Sequence, residues 1–178
     1  VVYSPQRDEI RIHARTKGEK ELYRQTFGRF LRQNAEHFSE RQAYTLEPLR
    51  TRGIETLDPD GVPGIEGIGL REVEVTWQEG FHEVLVHKAD EVFLAALLRG
   101  RQPLPDTGKI TRAVFEIRFK GVAKTRRVEV RPPNTLKLAR HCDARLVHRW
   151  LSEQGFRRSV GKANVNPEGR DVAAVAQP

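Results

Sequence analysis

Asp106 and Glu116 are the two carboxylates whose types and spacing come closest to a reaction centre in this sequence. Glu116 opens the run Glu-Ile-Arg-Phe-Lys. In a metal-dependent nuclease, an Asp and a Glu on adjacent strands hold Mg²⁺, and a lysine two residues past the Glu stabilises charge building on the attacked phosphate. Here Arg118 stands at that position and Lys120 lies two residues further on. The same residues also read as a loop aspartate and an exposed charge on a strand, so a metal-dependent nuclease ranks third among the functions considered.

Other candidate centres fail on spacing. Asp58 and Asp60 begin like a calcium loop, but the twelfth position carries no glutamate. Gly64, Gly67 and Gly69 neither follow a strand nor open a helix, as a phosphate-cradling loop must. His141 and His148 are seven residues apart, with Asp143 interrupting any shared helix. Cys142 is the single cysteine, so no internal disulfide can form, and a reducing, cytoplasmic setting is expected. With His141 and His148 near, Cys142 could be a nucleophile. Its ordinary reading is a small core-facing residue. No catalytic set, no metal site and no cofactor are expected, and a non-enzymatic role is favoured.

Charge is the stronger signal. The chain is 178 residues long with net charge +7, unevenly spread: residues 1–108 carry −3 and residues 109–158 carry +10. A split of that kind speaks of partners rather than fold. Lys120, Lys124, Arg126, Arg127 and Arg131 fall on or beside one hairpin, and Lys137, Arg140, Arg145 and Arg149 on the segment after it. Arginine dominates, and its planar fork suits bidentate phosphate contacts. A GC-rich coding sequence would also enrich arginine.

These cations need elements to hold them. Ile10, Ile12 and Ala14 alternate with Arg11, His13 and Arg15, as in a half-buried strand, and Val1–Tyr3 is its hairpin partner. Thr-Lys-Gly-Glu from Thr16 is a capping box. The helix after it, ending near His37, sets Leu22, Tyr23, Phe27, Phe30 and Leu31 on one stripe, expected to be core. Residues 39–69 are weakly patterned. Strands at Val73–Trp77 and His82–His87 form a hairpin, and a helix capped by Asp90 and closed by Gly100 follows. A second hairpin pairs Ala113–Phe119 with Val128–Val130. Pro132-Pro133 is expected to end the sheet. A short helix Leu136–His141 and another from Asp143 would then have the order of a helix-turn-helix.

The expected fold is α+β: an antiparallel sheet of at least five strands built from hairpins each followed by a helix, with helices on one face. Units 1–38, 70–99 and 110–156 suggest an internal repeat. Residues 1–158 are expected to form a single domain and 159–178 an extended or disordered tail. The longest apolar run, within Val92–Leu98, is seven residues, against ~20 for a membrane helix, so no membrane partner is expected. Val1–Gln6 lacks the charged and apolar regions of a signal peptide, and the absence of any Met suggests a piece cut from something longer. The expected function is a nucleic-acid-associated module that binds DNA or RNA phosphate backbone through the basic C-terminal third. A protein–protein interaction or regulatory domain, contacting other domains of the parent chain or complex, is the alternative.

Overall fold

The computed structural model describes residues 1–5, 8–38, 43–78, 80, 82–139 and 142–158. Arg140, His141 and the expected tail at 159–178 lie outside them.

Alternation of apolar and polar residues produces the sheet. On β5 (Lys109–Phe119), Ala113, Phe115, Ile117 and Phe119 are buried. On β6 (Arg126–Arg131), Val128 and Val130 are buried. With β3 (Ile65–Trp77), β4 (Glu83–Lys88) and β7 (Thr135–Leu138) they form a five-stranded antiparallel sheet in the order β4-β3-β5-β6-β7. Both expected hairpins belong to it, and the α+β class holds.

The helical elements α2 (Glu47–Thr51), a 3₁₀ turn (Gly53–Leu57) and α4 (Ala144–Glu153) supply the second layer of one core. Trp150 of α4 lies edge-on to Phe115, with ring centroids 5.0 Å apart, and tilts against Phe156 at 5.4 Å. Its indole N–H donates to the Thr56 carbonyl at 3.2 Å, so the polar end of the ring is satisfied inside the core. Asp143 caps α4 by accepting from the Arg145 and Leu146 amides. Gly155, at φ 74°, ends the helix, and the Arg157 amide returns to the Leu151 carbonyl.

The N-terminal hairpin, β1 (Val2–Ser4) with β2 (Glu9–Arg11), forms as expected. In α1 (Lys17–Arg32) the capping box is complete: the Glu19 amide donates to Thr16 Oγ1 at 3.1 Å, and Glu19 accepts from the Thr16 amide at 3.1 Å. The helix stops at Gln33 in the left-handed region rather than near His37. Its stripe is not core. Phe30 is 83% exposed, Leu22 and Tyr23 are exposed, Phe27 is only half-buried, and Gly28 is the sole buried residue of the helix. The reason is topological. A two-stranded hairpin offers little area to cover a 16-residue helix, and side-chain polar bonds tie the two together: Asp8 accepts from Tyr3, Arg32 and His37.

Three further expectations are corrected. Pro132-Pro133 does not end the sheet, because the chain turns there and returns. Leu136 and Leu138 then alternate as strand β7, opposite Val130 and Val128, where a helix was expected. Packing two half-buried leucines against the core at period two outweighs the helix preference of so short a segment. The hairpin within 110–156 is therefore followed by a strand, unlike that in 70–99, which leads into α3 (Val92–Leu98). Glu91, not Asp90, caps α3; its carboxylate accepts from the Phe93 and Leu70 amides. The weakly patterned stretch supplies core through Leu46, Leu49, Leu57 and Val62.

Candidate nucleic-acid interface

The second face of the sheet carries charge. Strand register aligns Lys88, Glu72, Val114, Glu129 and Lys137 in one row across all five strands. Beside it, Glu129 accepts from Arg131 Nε at 2.6 Å and Lys137 Nζ at 3.2 Å, with Arg112 Nε 3.5 Å away. Arg112 also pairs with Glu72, and Arg127 approaches Glu72 at 3.7 Å. Burial pushes the Glu129 carboxyl up, but the bonds from Arg131 and Lys137 and the nearby arginine charges outweigh it, holding the pKa at about 2. Arg127, Arg131 and Lys137 thus lie together on this face, but each is engaged by a carboxylate. Arg71, bound to both Asp90 and Glu116, borders with Lys88 and Arg127 a depression of about 500 Å³ floored by Val114.

The turn end of the β5–β6 hairpin differs. Lys120 and Lys124 are exposed, as is Arg118, and none of the three has a carboxylate partner among the described residues. From Ile117 to Val128 the sequence holds no acidic residue. Glu66, exposed where β3 bulges opposite Phe119 and Arg118, makes no ion pair among the described residues. Arg126 points the other way, in step with Val128, toward α4. Its Nε is buried without a hydrogen-bond partner. Burial and Asp143 raise the pKa of the half-buried Cys142 thiol, against the opposing charge of Arg126.

Gly64 brings α4 to the same end. Its carbonyl accepts from the Lys120 amide at 2.9 Å, and a Cβ on it would stand 2.8 Å from Leu146 Cδ1. A side chain there would force Leu146 to shift and would hold the backbone at a strained φ of +109°. Arg145, one residue before Leu146, is exposed and has no carboxylate partner among the described residues. Arg149 is committed to Glu153 at 2.7 Å and to the Gly61 carbonyl at 3.1 Å. The nine cations expected to act together therefore divide. Lys120, Lys124, Arg126 and Arg145 share the hairpin end, Arg127, Arg131 and Lys137 lie on the charged face, Arg149 is tied down on α4, and Arg140 is outside the described residues.

Sequence reasoning placed Arg118 in a nuclease pattern rather than in this group. Its membership follows from alternation along β5, which puts Arg118 and Lys120 on one face. The nuclease pair itself is not assembled. Asp106 lies in the loop before β5, bonded to Gln102, whereas Glu116 is held by Arg71 and Thr125. The seven residue steps along the strand from Lys109 to Glu116 alone span ~23 Å at ~3.3 Å per step. Among the described residues no group of three His, Cys, Asp or Glu side chains could hold a metal ion, and no helix is long and apolar enough to cross a membrane. With β7 in place of a helix, the helix-turn-helix order is absent. Compared with protein-family models, curated proteins and solved structures, the chain matches none of them.

Proposed function

We propose that this chain binds the phosphate backbone of a nucleic acid through the hairpin end, with Arg118, Lys120, Lys124 and Arg145 as the contacting cations. The observation that carries the reading is that none of the four has a carboxylate partner among the described residues, while Arg131, Lys137 and Arg149 are already paired. An unpaired cation meets a phosphate by releasing solvent and counterions only, whereas a paired one must first give up its carboxylate. Four such contacts would give a salt slope of about −3.5 on duplex DNA, with dissociation constants of roughly 10⁻⁴–10⁻⁶ M and little sequence preference. A cytoplasmic location belongs to this reading, since the only thiol needs no oxidising compartment.

Fluorescence anisotropy with labelled duplex and single strand, across a salt series, tests it. Lys120→Gln with Lys124→Gln should weaken binding and flatten the slope by about two phosphate equivalents. Arg131→Gln with Lys137→Gln should change it far less. Equal effects of the two pairs, or no binding above that of an acidic polymer, would refute the assignment. The protein-interaction reading has its own support in the exposed side chains of Leu94, Leu97, Leu98, Val84 and Val86.

A further inference from the structure

The two edges of the sheet are finished differently. Beyond β7, the Tyr44 amide donates to the Pro133 carbonyl at 2.9 Å, the Ala43 amide donates to Asn134 Oδ1 at 3.0 Å, and Tyr44 bridges to Arg157. That edge is covered, and Pro132 and Pro133 offer no backbone donors beside it. At the other edge, β4 pairs with β3 in unbroken register from Glu83 to Lys88, with no proline, glycine or bulge. No described residue hydrogen-bonds its outer backbone. Natural sheets guard such an edge, because its unpaired N–H and C=O groups template another strand. Here the edge also exposes two valines, Val84 at 46% and Val86 at 48%.

We propose that β4 pairs antiparallel with β4 of a second copy of this chain, joining two five-stranded sheets across a two-fold axis. A two-fold perpendicular to the sheet keeps each face on its own side, so a residue can only meet one of its own parity. Centring the axis on Leu85 sets Leu85 against Leu85 of the second copy. Val84 then meets Val86 of the second copy, and Val86 meets Val84, on the charged face. Glu83 falls opposite His87 of the second copy, a carboxylate against an imidazole. The strand is thus complementary to itself in shape and in the placing of its apolar residues, as an isologous contact requires. Moving the axis to Val86 would set Val84 against Lys88 and lose that match. The strand carries one Glu and one Lys, so the net charge of the chain does not oppose pairing at this edge. α3 begins four residues after β4 and leaves Leu97 and Leu98 about three-quarters exposed, which adds apolar surface near the strand end.

The test is sedimentation velocity over a concentration series without nucleic acid, so that it is independent of the backbone-binding reading. The wild-type chain should shift from monomer to dimer, and Val86→Pro should stay monomeric with an unchanged circular dichroism spectrum. In a Cys142→Ala background, Val84→Cys with Val86→Cys should give a covalent dimer on oxidation, since directly opposed Cβ atoms lie about 4.5–5.5 Å apart and can adjust to disulfide geometry. A wild-type chain that remains monomeric throughout, or a dimer that Val86→Pro retains, would overturn the proposal. If Val86→Pro unfolds, the cysteine pair decides, and absence of a covalent dimer overturns it.

Discussion

Replacing Glu129 by Gln keeps the side-chain volume and removes one charge from the network on the sheet's second face. The Glu129 side chain is only 11% exposed, and it is approached by Arg131, Lys137 and Arg112. Its pKa is held at about 2 against an ordinary 4.5, which corresponds to roughly 3 kcal/mol of charge-linked stability. The sign follows from proton uptake. As pH falls below about 4.5 the unfolded chain takes up the proton first, so this stability is complete above that pH and is lost progressively down to about 2. Glu129→Gln should therefore cost about 2–3 kcal/mol at pH 7, because the desolvated guanidinium of Arg112 loses a partner while Gln still accepts one hydrogen bond. The gap between the two proteins should narrow towards pH 3. Glu72, whose carboxyl the hydrogen bond from Arg112 also holds low, will add its own acid sensitivity to both. Urea unfolding at pH 7 and pH 3, followed by tryptophan fluorescence and circular dichroism, measures the difference. A cost below ~0.5 kcal/mol at pH 7, or a gap that does not shrink in acid, would refute the reasoning.

Trp150→Ala should destabilise the protein by about 3–5 kcal/mol in the same assay, whereas Phe30→Ala should change stability by less than ~1 kcal/mol; comparable losses would place α1 in the core after all. Cys142 should react slowly with a thiol reagent at neutral pH in the native state, because burial and Asp143 push its pKa up. Labelling as fast as that of a free thiol would contradict this.

Local pattern was enough for most of the sheet. Period-two alternation at Val73–Trp77 and Ala113–Phe119, the turn at Gly121, the Thr16 capping box and the Asp143 cap are each decided within a few residues, and each formed as the residues dictate. The uneven charge of the chain was equally visible. Partnership was not. Whether Leu22 and Phe30 are buried depends on how much surface another element can bring to α1, and the small N-terminal hairpin brings too little. Whether Leu136 and Leu138 are helix or strand depends on a vacant ladder beside β6, which exists only once the sheet is assembled. The same holds for the cations. Arg131 and Lys137 look like Lys120 and Lys124 in sequence, but cross-strand register sets the first two around Glu129 and leaves the others without a carboxylate among the described residues. Residue type and spacing determine the sign and amount of charge on a segment. Only tertiary packing decides which charges already neutralise one another, because ion pairing acts over a few ångströms between residues remote along the chain.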